Sequence, residues 1–583
     1  MKFLALALDY DGTIANNDIV DPHVRDAITG LRANGIIVLL VTGRTLADLR
    51  RVVGDLRFVD AVVAENGAVI EFPDSGYSTV IAAAPPPKLL DALRQEGISH
   101  IAGQSVIDAS ANDAQQILAI LQRLELPLVL LFNRSRVMIL PQAISKSTGL
   151  RQALTTLRLS PHNTIGIGDA ENDHELLQAC ELGIAVAWGS EFLKQSADLV
   201  LPGTGPAAVA EYIQTLAKHG QMPVPSKARR KLVLGYTDGG KRLALAARDR
   251  NILVAGDPKS GKSWVAGLLC EQLILFGYSL LLIDPEGDYT SLEALPGVVL
   301  FGGADPLPRP RQLLRALRHA DTSIVIDLSH TPHAEKLEYV RSLLPGMAML
   351  RRQTGFPHGI LVDEAHYFLR DSDMRALLDL EAGGYTFVSY RASKLHPDLL
   401  AATEAIVVTR ESDPDEISVL RTLCSSCESE LSEEDWRQTL GSLVIGEAVA
   451  LPLTAEAEGS MRRVQLAQRL TPHARHAAKY VDIPIPEQNA FVFWRNGVLD
   501  GRIARTLREF VEIVQQLPAS ELDGHLRRGD CSSWIARIFG DYLLANTVEQ
   551  LEAEYRRNGN LEIVPSIVQA IRSRYQFVER ELP

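Results

Sequence analysis

The chain reads Phe-Leu-Ala-Leu-Ala-Leu-Asp-Tyr-Asp-Gly-Thr from residue 3 to residue 13. A run of apolar residues is followed at once by two carboxylates, Asp9 and Asp11, and by a glycine that permits a turn. Such a short apolar run is typical of a parallel strand that is buried on both faces. Open α/β sheets bind their ligands at the carboxyl ends of these strands. The segment therefore predicts a strand that brings two acids to the binding edge of a sheet.

Two further apolar runs also end in polar motifs. Residues 35–41 are followed by Thr42-Gly43-Arg44, and residues 164–167 are followed by Gly168-Asp169-Ala-Glu-Asn-Asp173. Between the first two runs, residues 22–34 carry apolar side chains at helical spacing. This β-α-β alternation predicts a doubly wound α/β fold.

The acids at these strand ends indicate phosphoryl-transfer chemistry. Carboxylates that converge repel one another unless a hard cation such as Mg²⁺ neutralises them. Taken singly, each acid could instead be a turn residue or a helix cap. The set as a whole favours a magnesium-dependent site.

Four motifs occur in a family-specific order: Asp9-x-Asp11-Gly-Thr, Thr42-Gly-Arg, Lys146 and Gly168-Asp169-x-x-x-Asp173. In this order and spacing they resemble the haloacid dehalogenase (HAD) superfamily of phosphatases. The Glu65-Asn-Gly-Ala segment and the insert after it resemble the Cof-type subgroup, which carries a small α/β cap. The resemblance covers residues 1–217, and it implies a cap at about residues 72–141.

The resemblance also implies a role for each matched residue. Asp9 would be the nucleophile that forms an aspartyl-phosphate, and Asp11 would be the general acid and base. Phosphoryl oxygens would be held by Thr42, Gly43 and Lys146. The implied magnesium ligands are Asp9, the backbone carbonyl of Asp11, Asp169 and Asp173.

The cap offers a candidate for substrate selection. Asn133, Arg134 and Arg136 alternate along a strand-like segment, so the two arginines share one face. They would either grip a second anionic group of a small phosphorylated metabolite or form a solvated strand surface.

Length and composition limit the remaining possibilities. A chain of 583 residues with 46 % hydrophobic and 22 % charged residues predicts several globular domains. The net charge of −13 excludes a broadly basic nucleic-acid coat. Five cysteines do not form a disulfide framework, and without a signal or membrane-spanning segment they indicate the cytoplasm. Cys424 and Cys427 have metal-ligand spacing, but they are read here as two thiols because no partner pair follows.

A second phosphate-handling domain is expected at residues 231–485, after a polar linker at residues 218–230. The apolar run 252–255 is followed by Gly256-Asp-Pro-Lys-Ser-Gly-Lys-Ser263 and then by a helical pattern. This is a phosphate-binding loop in its strand-to-helix context. It predicts ATP and Mg²⁺ binding through a set of loop residues with a partner acid: Gly256, Lys259, Ser260, Gly261, Lys262, Ser263 and Asp363. Ser263 would be a magnesium ligand.

Residues 359–362 form an apolar run that ends in Asp363-Glu364, a Walker B pair in which Glu364 would polarise the attacking water. Together with Asp284-Pro-Glu-Gly-Asp and the segment after Val388, this pair resembles the HerA/FtsK-type ATPases. That resemblance implies homo-oligomeric ring hexamers, including DNA-translocating motors. The chain has Tyr390 where those motors usually carry a sensor glutamine. Arg391 and Arg410 are candidate sensor or finger arginines, or else paired surface arginines.

The last unit, residues 486–583, is expected to be a small and mostly helical domain. It resembles a small uncharacterised domain that is appended to other enzymes. His525 and Asp530 would form either a site there or a structural hydrogen bond.

Three functions follow from these patterns. The first is a magnesium-dependent HAD-type phosphatase for a small phosphorylated metabolite, fused to an ATPase. The second is a ring-forming ATPase motor, or a nucleic-acid-processing protein, whose HAD domain acts on nucleic-acid phosphate ends. The third is a nucleotide-gated binding module. Acidic side chains outnumber basic ones in each unit, which weakens the case for a nucleic-acid partner.

Overall fold

A computed structural model describes residues 3–133, 135–219, 229–248, 250–370, 374–424, 431–451, 461–471, 485, 487–495, 498–539 and 542–575. The chain divides into two compact units, residues 1–285 with 289–472 and residues 286–288 with 473–583. The expected phosphatase and ATPase regions thus belong to one unit. None of the helices in the described segments combines the length and apolar composition that crossing a bilayer requires.

The N-terminal region contains a main sheet, a second smaller sheet and helices on both. Its strands are β1 (Ala5–Asp9), β2 (Ala15–Asn16), β3 (Ile19–Val20), β4 (Ile37–Val41), β5 (Ala61–Ala64), β6 (Val69–Phe72), β7 (Tyr77–Val80), β8 (His100–Ala102), β9 (Ile107–Ser110), β10 (Leu128–Asn133), β11 (Arg136–Pro141), β12 (Thr164–Gly168), β13 (Leu182–Val186) and β14 (Leu199–Leu201). Its α-helices are α1 (Pro22–Ala33), α2 (Leu46–Val53), α3 (Pro87–Gln95), α4 (Ala114–Arg123), α5 (Lys146–Thr156), α6 (His174–Ala179), α7 (Glu191–Ser196) and α8 (Gly205–His219).

The main sheet confirms the predicted α/β fold. Within the described residues its order is β14-β13-β12-β1-β4-β5-β6-β7, with β1 parallel to both β4 and β12. Leu6 and Leu8 pack into the core on one face of the sheet, and Ala5 and Ala7 pack on the other. Because parallel strands share one carboxyl edge, the polar segments after β1, β4 and β12 lie side by side.

The cap is a separate sheet of order β10-β11-β9-β8, with α3 and α4 beside it. It is shorter than the expected range of 72–141. Strand β7 pairs with β6 and so extends the main sheet, because both strands belong to one antiparallel hairpin. Met138 and Leu140 of β11 contribute to the core of the main sheet. Arg136 pairs with Asp108 of β9, while Arg134 lies outside the described residues.

The second region is built on one larger mixed sheet. Its strands are β15 (Lys231–Tyr236), β16 (Arg242–Ala246), β17 (Ile252–Ala255), β18 (Leu280–Asp284), β19 (Val298–Gly302), β20 (Ser323–Asp327), β21 (Gly359–Val362), β22 (Tyr385–Ser389), β23 (Ala405–Val408), β24 (Glu447–Leu451) and β25 (Arg462–Leu466). Its α-helices are α9 (Lys262–Leu275), α10 (Pro310–Ala316), α11 (His333–Thr354), α12 (Ala365–Phe368), α13 (Met374–Leu377), α14 (Pro397–Ala401), α15 (Pro414–Leu423) and α16 (Glu433–Gly441). The strand order is β16-β15-β25-β24-β23-β17-β22-β21-β18-β20-β19.

A buried polar cluster joins these two regions. The Glu181 carboxylate, just before β13, is 4 % exposed and lies 2.8 Å from Nδ1 of His162. It accepts a hydrogen bond from the Tyr278 hydroxyl at 2.9 Å, and Arg230 and Arg248 pair with it. Although burial alone would raise it, contacts with His162 and the two arginines lower the pKa of Glu181 to about 2.

Two further contacts link the N-terminal region to α9 and to the start of β21. Nε2 of His162 lies 2.9 Å from the carbonyl oxygen of Phe276, at the end of α9. Nε2 of His358, just before β21, lies 3.2 Å from Oδ1 of Asn163. The N-terminal region and the second region are therefore packed through specific polar contacts between distant parts of the chain.

The C-terminal unit is mostly helical, as predicted. It has one hairpin, β26 (Phe491–Arg495) with β27 (Val498–Ala504), followed by α17 (Leu507–Gln516), α18 (Asp523–Arg528), α19 (Asp530–Trp534), α20 (Tyr542–Asn558) and α21 (Ile563–Tyr575). Its core is aromatic, with Phe491, Phe510 and Trp534 in mutual ring contact. These rings fasten the hairpin to the helices.

Candidate active site and nucleotide-binding site

Three buried carboxylates meet where β1 and β12 end. Ligand oxygens of Asp9, Asp169 and Asp173 all lie within 4.8 Å of one another. The three residues are at most 4 % exposed. Oδ2 of Asp173 accepts the backbone N–H groups of Asp169 and Ala170 at 3.0 Å each, and this holds the loop after β12 in place. A Cβ at Gly168 would lie 2.6 Å from Cβ of Asp173, so this approach requires glycine.

Lys146 is the buried countercharge of this cluster. Its Nζ lies 2.5 Å from Oδ1 of Asp9 and 2.6 Å from Oδ1 of Asp173, and the side chain is 1 % exposed. Burial acts to lower the pKa of Lys146, but the charges of Asp173 and Asp9 outweigh it, so the pKa is raised. Burial and the neighbouring Asp173 raise the pKa of Asp9 despite Lys146. One ammonium against three carboxylates leaves a negative site of oxygen donors, which fits a hard divalent cation.

Asp11 lies apart from that trio and is held by Arg44. Nε and Nη2 of Arg44 donate to the two carboxylate oxygens of Asp11 at 2.8 and 2.6 Å. The same guanidinium pairs with Asp18 of the β2–β3 turn and, at 2.9 Å, with Asp48 of α2. The hydrogen bonds to Asp11, with the contact to Asp18, raise the pKa of Arg44 although burial acts to lower it. This clamp fixes the side chain of Asp11 and is a positioning contact that the sequence did not reveal.

The motif after β4 lies beneath the cap. Thr42 is 1 % exposed, and its Oγ1 accepts the N–H of Arg44 at 3.1 Å. A Cβ at Gly43 would lie 3.2 Å from Sδ of Met138 in cap strand β11. Gly43 thus lies where the main sheet meets the cap, a location suited to small ligands.

Glu65 fastens the cap to the main sheet. It has a left-handed backbone with φ of 53°, and its side chain is buried. Its carboxylate accepts the backbone N–H groups of Gln104, Ser105 and Val106 at 2.9, 2.8 and 3.2 Å. The sequence motif around Glu65 indicated the subgroup, but its partners lie about forty residues away and were not predicted.

The second site is the loop between β17 and α9. Its backbone is left-handed at Gly256, Lys259 and Gly261, with φ of 143°, 63° and 107°. A Cβ at Gly256 would lie 2.2 Å from Oγ1 of Thr409. Nζ of Lys262 donates to the carbonyl oxygen of Asp257 at 2.8 Å. Loops of this form at a helix N-terminus present backbone N–H groups to phosphates.

Asp363 and Glu364 follow β21 at the same sheet edge. Asp363 is buried, and its Oδ1 accepts the N–H of Glu364 at 2.9 Å. Glu364 has φ of 46°, an uncommon backbone for a non-glycine residue that often accompanies function. Its Oε2 lies 3.6 Å from Nδ1 of His366.

The two candidate sensor arginines are paired within this chain. Arg391 donates to Asp413 at 2.8 Å, and Arg410 lies 3.3 Å from Asp257 of the phosphate-binding loop. Tyr390 lies beside Lys262, whose Nζ is 5.9 Å from the centre of the ring.

Two other predicted features have structural explanations. Nδ1 of His525 lies 2.7 Å from Oδ2 of Asp530, and its Nε2 accepts the N–H of Trp494 at 3.0 Å. Both ring nitrogens are therefore used, which favours the structural reading over a site. Cys424 is a buried thiol, while Cys427 lies outside the described residues.

Comparisons with known proteins agree with this geometry. A haloacid dehalogenase-like hydrolase family matches residues 6–102 and 87–213, and the central domain of helicase HerA matches residues 250–353. A phosphoglycolate phosphatase from Methanosarcina acetivorans is 28 % identical over 38 % of this chain and 99 % of its own length. Another phosphoglycolate phosphatase, from Natronomonas pharaonis, is 30 % identical over 33 % of this chain and 89 % of its own length.

Among solved structures, a haloacid dehalogenase-like hydrolase from Bacteroides thetaiotaomicron is 19 % identical. The match covers 37 % of this chain and 100 % of that one, with a TM-score of 0.33. The family assignment rests on the sequence relatives and on the cluster of Asp9, Asp169 and Asp173 around Lys146. Through its N-terminal region, followed by a HerA-like domain, this chain belongs to the haloacid dehalogenase-like hydrolases.

Proposed function

We propose that the N-terminal domain is a Mg²⁺-dependent phosphatase for a small phosphorylated carboxylic acid of the phosphoglycolate type. The observation that carries the chemistry is the buried cluster of Asp9, Asp169 and Asp173 around Lys146. The substrate class is supported by the relatives, which bear the name phosphoglycolate phosphatase and align along nearly their full length.

Each residue then has a defined role in the reaction. A carboxylate oxygen of Asp9 attacks phosphorus, and the bond from phosphorus to the ester oxygen breaks. Asp11 gives a proton to that departing oxygen. Asp11 next takes a proton from water, which attacks the aspartyl-phosphate and releases phosphate with Asp9 restored. Lys146, with Thr42 and Gly43, would hold the phosphoryl oxygens.

Bound Mg²⁺, held by Asp9, Asp169, Asp173 and the carbonyl of Asp11, would supply positive charge that offsets the charge of the phosphoryl group. The cap would keep bulk water out of the site during the first step. Arg44 would keep the carboxylate of Asp11 within reach of the ester oxygen.

Phosphate release from a panel of phosphate esters tests this function. The full chain should act best on phosphoglycolate and related phosphorylated acids, and EDTA should abolish the activity. Asp9→Asn should be inactive, because an amide cannot serve as the nucleophile. The matched control Asp74→Asn changes an exposed acid in the β6–β7 turn and should keep the activity. Equal rates for Asp9→Asn and the unmodified chain would exclude the aspartyl-phosphate route.

We propose in addition that the second domain binds ATP with Mg²⁺ and hydrolyses it. Support comes from the loop at residues 256–263, from the buried Asp363 and from the strained Glu364. Lys262→Ala should remove ATP binding and hydrolysis, whereas Lys241→Ala, in the β15–β16 turn, should leave both intact. Retained binding by Lys262→Ala would refute the site.

A second candidate function is a ring-forming motor whose phosphatase domain acts on nucleic-acid ends. The match to the central domain of helicase HerA favours it. It requires a hexamer by light scattering, ATP hydrolysis stimulated by DNA at low salt, and phosphate release from DNA ends. A monomer without DNA stimulation would eliminate it.

We further propose a cytoplasmic location. The described cysteines, Cys180, Cys270, Cys424 and Cys531, are buried thiols, as expected in a reducing compartment. Fractionation of expressing cells would test this, and recovery with an exported fraction would contradict it.

A further inference from the structure

His366 is a buried histidine beside the nucleotide site to which neither predicted function assigns a role. It lies in the short helix α12, two residues after Glu364, and its side chain is 7 % exposed. Its ring lies 4.6 Å from the ring of Tyr390, the same ring that Lys262 approaches. His366 therefore contacts both Glu364, the acid that would polarise water, and Tyr390, the ring that the loop lysine approaches.

Ser389, at the end of β22, and Glu364 both face Nδ1 of His366. Oγ of Ser389 lies 3.2 Å from Nδ1 of His366, and it also accepts the N–H of Arg391 at 2.9 Å. Ser389 is fully buried, and Nδ1 is the acceptor that its hydroxyl proton reaches among the described residues. When Nδ1 accepts the Ser389 hydroxyl proton, the N–H of a neutral ring lies on Nε2.

The ring is neutral at physiological pH. Burial, with the nearby positive charges of Lys262 and Arg391, lowers the pKa of His366 to about 4. In that tautomer the neutral ring of His366 presents one N–H, on Nε2.

That N–H has no protein acceptor. Nε2 of His366 is buried, and within the described segments no protein atom forms a hydrogen bond with it. A buried donor without an acceptor destabilises the folded state, and native proteins rarely retain one without a reason. The Glu364 carboxylate faces Nδ1, the other ring nitrogen, at 3.6 Å, whereas Lys262 and Arg391 act on the ring with positive charge. An anion held by the phosphate-binding loop is therefore an acceptor that suits Nε2.

We propose that Nε2–H of His366 donates a hydrogen bond to a γ-phosphoryl oxygen of bound ATP, so that the site distinguishes ATP from ADP. The proposal rests on the ATP site proposed above and deepens it. Tyr390 occupies the position where the resemblance implies a sensor glutamine. His366 supplies the N–H donor that such a glutamine would have provided.

Calorimetric titration of the full chain with Mg²⁺ and either ADP or β,γ-imido-ATP tests the proposal. Replacement by His366→Ala should raise the Kd of β,γ-imido-ATP by about tenfold or more, the contribution of one hydrogen bond to a charged group. The Kd of ADP should stay within about twofold, because ADP lacks the γ-phosphoryl group. His366→Gln retains an N–H donor and should recover part of the preference.

Two further variants separate this role from a structural one. Ser389→Ala removes the contact that holds the ring tautomer and should raise the Kd of the ATP analogue alone. His333→Ala is the matched control, because this exposed histidine lies with its ring centre 5.3 Å from that of the neighbouring Tyr367. This variant should change neither Kd.

Equal weakening of ADP and β,γ-imido-ATP by His366→Ala and His366→Gln would overturn the proposal, and so would an unchanged ratio of the two constants. Failure of the ATP site itself looks different. In that case the unmodified chain binds neither nucleotide, or Lys262→Ala binds both as well as the unmodified chain does.

Discussion

Replacing Glu181 by glutamine should loosen the joint between the phosphatase and ATPase regions. The carboxylate is 4 % exposed and contacts His162, Tyr278 and two arginines. Glu181→Gln keeps the shape of the side chain but removes the charge that these groups share. Removing one partner of a buried ionic network typically costs about 3–5 kcal/mol.

The pKa of Glu181 leads to a similar magnitude. A value lowered from 4.5 to about 2 on folding corresponds to about 3 kcal/mol of stability at neutral pH. Because the folded-state pKa is the lower one, this stabilisation is present above about pH 4.5 and is lost as the pH falls towards 2. By both arguments, Glu181→Gln should lower the free energy of unfolding by about 3 kcal/mol at neutral pH.

Amide hydrogen exchange followed by mass spectrometry measures this loss of stability in the segments that contact Glu181. At pH 7, peptides from residues 160–182 and 273–280 should exchange about a hundredfold faster in Glu181→Gln than in the unmodified chain. The control Glu191→Gln removes a carboxylate that is 82 % exposed and paired with Lys194, and it should change exchange little. Unchanged exchange on both sides of the joint in Glu181→Gln would refute the reasoning.

Three other substitutions test separate features. Lys146→Met leaves Asp9 and Asp173 without their countercharge and should destabilise the metal-free chain by about 3–5 kcal/mol. Added Mg²⁺ should restore part of this stability. Thermal unfolding with and without Mg²⁺ measures both effects, and an unchanged Tm would contradict them. Glu65→Gln should speed amide exchange at residues 104–106, where a carboxylate oxygen of Glu65 accepts each backbone N–H, and normal protection there would count against the anchoring role. Burial, followed by nearby Asp257, raises the pKa of Glu411 from 4.5 to about 8, so folding takes up a proton between these values and stability falls as the pH rises through them. Glu411→Gln should therefore raise the Tm more at pH 8 than at pH 5, and equal shifts would argue against a protonated Glu411.

Local pattern was sufficient for the fold class and for the positions of the motifs along the chain. The apolar runs before Asp9, Thr42 and Asp169 are short, and they end in polar residues because parallel strands are buried along their length and open only at one edge. The phosphate-binding loop at residues 256–263 is equally local, since its glycines are required by backbone angles that other residues rarely adopt. Periodicity likewise predicted a mostly helical C-terminal unit.

Contacts between distant segments could not be read from those patterns. Arg44 clamps Asp11, and Glu65 anchors a cap loop about forty residues away, yet neither contact has a spacing that a linear pattern could reveal. Strand β7 pairs with β6 at the edge of the main sheet, so the cap begins later in the chain than expected. This pairing depends on which edge of the folded sheet is free, and the linear sequence does not show that.

The polar cluster around Glu181 forms only when the chain packs. The same is true of the burial of Nε2 of His366, which has no protein partner among the described residues. Each depends on which charges and donors burial has removed from water, and burial is a property of the whole fold. The order of residues along the chain thus predicts two phosphate-handling sites. Three-dimensional packing sets their charge balance, the tautomer of His366 and the contact between the two regions, because electrostatic interactions depend on distance and solvent exclusion and not on separation along the chain.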